Sequence, residues 1–242
     1  MKTIVVIPTY NEQANLARLI PTLVEKSPSD LEIIVVDDNS PDKSADEVKL
    51  WQKTYPTKLY LIERPTKAGI GSAYVAGFKM ALELGADYIL EMDADFSHDP
   101  ADIKRLINAC AQGADLAIGS RRVAGGQIIG WNWRRKMMSA GAGAFARFLL
   151  NLKTKDITAG FRCFKRNTLE KIDWQNATAS GYAFQEEILY QVEKAGFTIK
   201  EIPVVFLDRQ EGISKLSSND IIEFFKLIFK LKFQIYAKKT QP

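Results

Sequence analysis

An α/β fold built on a mostly parallel sheet flanked by helices is what this sequence predicts, with an amphipathic helix at its C-terminus. Three observations predict it. Strand-like runs of Ile, Val and Leu alternate with helical patterns through the first half. Those runs are apolar almost throughout, as in strands buried on both faces. Polar clusters stand directly after several of them, where open parallel sheets bind their ligands.

The elements follow in order. "TIVVIP" is the first strand, entered from Met1 with no secretory leader before it. Asn11 is placed to cap a helix whose Leu16, Leu19, Ile20, Leu23 and Val24 share one face. "LEIIVVDD" is the second strand, and a second helix begins near Ser44. "KLYLIE" is the third, followed by a helix over 71–84. "DYILEMD" is the fourth, and Pro100 opens the helix that leads to Cys110. "DLAIGS" is the fifth. The second half is less regular: "GWNWRRKMMSAGAGAFARFLLNL" and "ASGYAFQEEILYQVEKAG" read as helices, "TIKEIPVVFL" as one strand, and "NDIIEFFKLIFKLKFQIYAKK" as an amphipathic helix.

Composition excludes several classes of function. A chain of 242 residues with 46% hydrophobic and 26% charged residues can bury a core without staples. A net charge of +4 gives no reason to expect a nucleic-acid partner. No segment approaches the roughly 18 apolar residues of a spanning helix. Cys110 and Cys163 lack metal or redox spacing and read as buried thiols in a reducing compartment. With His98 as the single histidine and no G-x-S-x-G elbow, covalent catalysis has no apparatus. Chemistry has to come from metal, positioning and charge.

The "EMDADFSHDP" stretch supplies the metal candidates. Asp93 and Asp95, two apart at a strand end, project to one side roughly 7 Å apart, as a seat for one divalent cation and a diphosphate. Acidic clusters also cap helices, and Asp99 before Pro100 is placed to do so. His98 reads as a loop or capping residue. Arg121 in "GSRR", and Arg209 and Lys215 in "DRQEGISK", are cations able to reach a diphosphate; each alone also reads as solvated surface charge. "KAGIGSAY" matches no phosphate-loop pattern, and helix packing explains Gly69 and Gly71 equally well.

Taken in order, "VVIPTYNEQANL", "IIVVDDNSPDKS", "KAGIGSAYVAGF", "MDADFSHDP", "GSRRV", "DITAGFRCF", "GYAFQEEI", "EIPVVFLDR" and "GISKL" resemble the family 2 glycosyltransferases. The resemblance is to the dolichol-phosphate mannose synthase type and its bacterial polyprenol-phosphate relatives, in the short form without transmembrane domains, and it runs from about residue 3 to 217. It implies a GT-A fold over 1–217, with 218–242 as amphipathic helix and tail. It implies a nucleotide sugar, GDP-mannose, with Mg2+ or Mn2+. Pro8, Tyr10, Glu12, Val36 and Asp38 fall on the family's nucleotide-binding positions. Asp93, Ala94 and Asp95 fall on its D-x-D. Arg121, Arg209 and Lys215 fall on its diphosphate and phosphate contacts, which makes Asp95, Arg121 and Arg209 the catalytic candidates. Some relatives carry a metal-ligating Gln where this chain has Ser97, which offers a hydroxyl or acts through water.

The implied reaction is inverting transfer of mannose to a polyprenyl or dolichyl phosphate. Alternatives are another donor, UDP-glucose or UDP-GlcNAc, another acceptor, or a non-catalytic nucleotide-sugar-binding subunit of a membrane complex. Glu186 and Glu187 stand where relatives acting on hydroxyl acceptors place a base, and read here as structural. Trp131, Trp133, Arg134, Arg135 and Lys136 read as an interfacial anchor, with Arg134, Arg135 and Arg162 as acceptor-phosphate candidates. Phe224, Phe225, Phe229 and Phe233 mark the last helix as either a membrane surface or a core-packing face. The expected place is the cytoplasmic face of a membrane, bound peripherally, with a membrane-anchoring partner as a further expectation.

Overall fold

A computed structural model describes residues 1–28, 30–177, 179, 181, 183–208 and 218–239, with side chains described except at 218–221 and 234–239. Its elements run β1 (Thr3–Thr9), α1 (Gln13–Lys26), β2 (Leu31–Asp37), α2 (Ser44–Thr54), β3 (Leu59–Glu63), α3 (Ile70–Glu83) and β4 (Tyr88–Glu91). A single 3-10 turn (Pro100–Asp102) leads into α4 (Ile103–Ala111), then β5 (Leu116–Ser120), β6 (Gln127–Ile129) and α5 (Trp133–Leu150). The rest is β7 (Arg162–Lys165), α6 (Arg166–Lys171), α7 (Phe184–Lys194), β8 (Ile199–Pro203), β9 (Val205–Leu207) and α8 (Ser218–Lys239).

The main sheet has the order β3-β2-β1-β4-β7-β5-β8. It is parallel except for β7, which lies antiparallel between β4 and β5. Both faces are covered, as the unbroken apolar strands predict. Along β1, Ile4 and Val6 enter one core with Phe78, Phe184 and Ile188. Val5 and Ile7 enter the other, with Leu16, Leu19 and Leu106. Gly77 lets α3 press onto β1, since a Cβ there would collide with a Val6 methyl. Gly71 is likewise a packing residue: an added Cβ would lie 2.8 Å from Phe184 Cβ.

Four local expectations change. Asn11 takes positive φ and its backbone N–H goes to Ser40 Oγ, so Glu12 stands at the N-cap of α1. The "TIKEIPVVFL" strand is two. β8 extends the main sheet beside β5, and beyond Val204 the chain crosses to pair β9 with β6 in a two-stranded sheet. β6 and β7 were not predicted. The last helix packs and exposes at once: Leu227, Ile228 and Leu231 are buried in the core, while Phe229 and Phe233 remain exposed. Asp99 does cap its turn, accepting from Ala101 N at 2.9 Å.

Candidate active site

The parallel strands β1, β2 and β4 end at the same edge, and the three loops beyond them form one cleft of about 240 Å3. The first two loops clasp each other. Ser40 Oγ accepts the Asn11 N–H, Ser44 Oγ the Glu12 N–H, and Asp42 Oδ2 the Gln13 N–H, each at 3.0 Å. Asp42 also takes the backbone N–H and hydroxyl of Ser44, and these hydrogen bonds lower its pKa against the opposing pull of burial. "PTYNE" and "DDNSPDKS" are thus halves of one device. They leave Pro8, Tyr10, Glu12 and Asp38 lining the cleft.

Asp38 closes one end. Its Oδ1 lies 3.1 Å from Arg64 Nε, and its Oδ2 accepts from Ala68 N at 3.3 Å. Burial pushes its carboxyl above the ordinary value, with Arg64 pulling the other way. Lys67, also on the cleft wall, sits over the Tyr10 ring at 3.9 Å.

The D-x-D forms the opposite end: Asp93, Ala94 and Asp95 all line the cleft. Their loop is shaped by its own residues. Ser97 N donates to Asp95 Oδ1 at 3.0 Å, and Asp93 N approaches His98 Nδ1 at 3.4 Å. His98 stacks on Phe161 with ring centroids 4.8 Å apart. Burial holds its imidazole down to about 4, so at neutral pH it is an uncharged acceptor. Ser97 is buried, and its hydroxyl has no hydrogen-bond partner among the described residues. Among those residues no three His, Cys, Asp or Glu side chains converge as a cage. Two cleft carboxylates beside an unsatisfied hydroxyl fit a hard divalent cation that takes its remaining ligands from diphosphate and water.

The arginines are placed differently from expectation. Arg121 does not line the cleft. Its Nε and Nη2 form a fork onto Asp156 at 2.8 and 2.7 Å, Nη2 also donates to Thr158, and its backbone N–H goes to Asp156 as well. Nη1 is the one nitrogen of that guanidinium without a hydrogen bond among the described residues. Arg135 is paired to Asp208 at 3.2 Å and lies over Trp131, whereas Arg134 is exposed over Trp133. Arg209 and Lys215 lie outside the described residues.

Two expectations are corrected outright. Arg162 cannot meet an acceptor phosphate, because its side chain is 0% exposed. Its nitrogens donate to the carbonyls of Ala159, Gln185 and Ile157. Val36 is sealed in the core below Asp38 and supports the cleft without lining it.

Behind the cleft lies a layer of buried charge. Glu91 stands 3.9 Å from Arg162 Nε, yet burial pushes its carboxyl up to about 8. Glu186 is pushed up to about 7 by burial and has one oxygen without a hydrogen-bond partner among the described residues. Glu187 accepts from Ala179 N at 2.9 Å. The expected structural reading suits Glu187 directly; Glu186 is buried beside the same arginines.

Sequence reasoning missed Asp156, Arg64 and Lys67. Asp156 opens "DITAGFRCF", but its partner Arg121 is 35 positions away and no local spacing links them. Arg64 and Lys67 follow β3 at the same edge as the clasped loops, the one signal that could have found them.

Comparison with known proteins fits this geometry. The model of the family described as glycosyl transferase family 2 matches residues 4–173. A polyprenol monophosphomannose synthase of Mycolicibacterium smegmatis is 43% identical over 225 residues, covering 92% of this chain and 83% of that protein. An undecaprenyl-phosphate mannosyltransferase of Micrococcus luteus is 39% identical over 226 residues, 92% of this chain and 90% of its own. Among solved structures, a mannosyltransferase from Pyrobaculum calidifontis in complex with GDP-Man and Mn2+ superposes with a TM-score of 0.62 at 17% identity, over 99% of this chain and 65% of that one. A glucosyl-3-phosphoglycerate synthase from Mycobacterium tuberculosis with Mn2+ and UDP-Glc gives 0.69 at 15% identity, over 96% and 79%.

Proposed function

This chain belongs to glycosyl transferase family 2 and is a glycosyltransferase of GT-A fold, and from that premise we propose that it transfers mannose from GDP-mannose to a polyprenyl or dolichyl phosphate. The observation that carries the reading is the cleft itself. The strand order β2-β1-β4 sets Asp38 on one side of the β1 end and Asp93 and Asp95 on the other, with Tyr10 and Lys67 on the wall between the same loops. The two curated relatives, named for lipid-phosphate mannosyl transfer, match over most of their own lengths.

The chain's residues divide the work. Asp38 accepts from the base, while Tyr10 and Lys67 flank the nucleoside. Asp93 and Asp95 hold Mg2+ or Mn2+, which when bound neutralises the diphosphate as it departs. Arg121, turned by Asp156, offers Nη1 to the same developing charge. The acceptor oxygen is already anionic, so no strong base is needed. It bonds to the anomeric carbon as the carbon–diphosphate bond breaks, and a single displacement gives a β-linked product.

A lipid acceptor requires a membrane surface. No helix among the described residues is long and apolar enough to cross one. On α5, however, Trp133, Met137, Met138 and Phe148 are exposed by 65, 64, 68 and 87%. Phe225 and Phe229 of α8 continue that surface through Phe145, at ring distances of 5.6 and 6.2 Å. With Arg134 and Lys136 at its rim, this patch suits peripheral binding to an anionic leaflet. The test is sugar transfer from labelled GDP-mannose, UDP-glucose and UDP-GlcNAc to polyprenyl phosphate. A lipid product from GDP-mannose is expected, and its absence would overturn the reading.

A further inference from the structure

Phe96 stands between Asp95 and Ser97 in the D-x-D loop, and its backbone is left-handed, with φ 58°. Five non-glycine residues among those described have positive φ, and three are asparagines, whose short polar side chains tolerate that region. Lys43 stands at the N-cap of α2. Phe96 is the one aromatic residue of the set. A residue with a Cβ pays free energy to be left-handed, so surrounding contacts have to impose the turn, and such strain collects at functional sites.

Those contacts come from outside the cleft. Phe96 does not line it, although Asp93, Ala94 and Asp95 just before it do. Its ring packs, half-buried, against the core that holds Leu16 and Ile103. The Arg18 guanidinium of α1 lies over that ring at 5.0 Å. Two residues on, His98 is the second anchor, stacked on Phe161. Ser97 is held between the two rings. Its N–H reaches Asp95 Oδ1 at 3.0 Å, and its buried hydroxyl has no hydrogen-bond partner among the described residues. The direction in which the chain leaves Asp95 for Ser97 is set by the two soft dihedrals of Phe96. An extended Phe96 would carry the Ser97 N–H away from the carboxylate.

We infer that Phe96 is a positioning residue for the cation site: its anchored ring imposes the left-handed turn that presents Asp95 and Ser97 together to a divalent metal. The inference rests on the metal reading of Asp93 and Asp95 given above. Phe96 itself touches neither metal nor substrate. It acts through the backbone, as groups behind metal ligands do when they fix a ligand's orientation.

Mn2+ binding to the full chain in the presence of GDP, followed by electron paramagnetic resonance, tests this, with melting measured separately without metal. Phe96→Gly permits the turn but no longer imposes it, and should weaken Mn2+ binding about tenfold. Phe96→Leu keeps an apolar anchor and should stay within about threefold of the parent, the rescue that a positioning role requires. Without metal, Phe96→Gly should melt above Phe96→Ala, the reverse of the ordinary order, because glycine alone relieves a positive φ. Arg18→Gln, at an exposed position, should weaken Mn2+ binding about threefold at an unchanged melting temperature. Parental Mn2+ affinity in both Phe96→Gly and Arg18→Gln overturns the inference. So does Phe96→Ala melting above Phe96→Gly, or Phe96→Leu binding as weakly as Phe96→Gly. Should Phe96→Gly fail to fold, Arg18→Gln decides alone. A parent chain that binds no Mn2+ would remove the metal reading and this inference with it, whereas loss confined to the comparison of variants leaves the metal reading standing. Failure of GDP-mannose as donor touches neither measurement.

Discussion

Two regions of this molecule hold charge in opposite ways. At the carboxyl edge of β1, β2 and β4, carboxylates face a cleft, and the loops carrying them are held by serine and aspartate oxygens that accept backbone N–H groups. On the flank built from β5, α5 and β7, the charges are arginines whose guanidinium groups are taken up by carboxylates and carbonyls of the protein itself. Arg121 reaches Asp156, Arg135 reaches Asp208, and Arg162 reaches the carbonyl of Gln185. The edge is built to receive a ligand, and the flank is built to hold the shape behind it. Substitution should therefore cost activity at the edge and stability on the flank.

The largest effect should come from the flank. Arg162 is fully buried and donates to three carbonyls, which take up its guanidinium. Burial pushes the Glu91 carboxyl up and it stands 3.9 Å away, so the three carbonyls at 2.7 to 3.0 Å are the closer partners of the guanidinium. Arg162→Gln should lose about 3–5 kcal/mol of unfolding free energy in a urea titration. A loss below about 1 kcal/mol would remove the contrast between the regions.

At the edge the expectation reverses. Asp95→Asn keeps an oxygen to accept the Ser97 N–H but removes the charge. Stability should move by less than about 1 kcal/mol, while kcat for sugar transfer falls about 10²–10³-fold, as for loss of one charge-stabilising group. A variant as active as the parent would detach the D-x-D from catalysis.

The same contrast governs what could be read from the chain. Asp38, Asp93, Asp95, Tyr10 and Glu12 were legible because each follows a strand of obvious pattern, and strand ends of a parallel sheet converge. β7 was not: it is four residues long, begins with an arginine, and inserts antiparallel between strands far from it in sequence. Arg162 therefore read as an acceptor-phosphate candidate, when the carbonyls that claim it come from a loop and a helix start. The break at Val204 was hidden by a continuous apolar run; only pairing shows that Val205 and Pro203 belong to different sheets. For α8 the pattern allowed packing or exposure, and the helix does both: Leu227, Ile228 and Leu231 are buried while Phe229 and Phe233 are exposed.

The smallest effect lies where the regions meet. Glu186 is on α7, buried, beside the arginines of the flank. Burial raises its carboxyl from the ordinary 4.5 to about 7, by penalising the charged form. Below pH 4.5 the group is protonated folded or unfolded, and burial of the neutral acid costs little. Between 4.5 and 7 the unfolded chain releases the proton while the folded one keeps it, so stability falls as pH rises through that window. Above 7 the full penalty is present. Glu186→Gln removes the titration and should flatten the curve, leaving the variant about 1–3 kcal/mol more stable at pH 8 and little changed at pH 4. Urea titrations at the two pH values measure this directly. A pH-independent difference would place Glu186 among the paired charges of the flank and move the boundary between the regions out to the cleft wall.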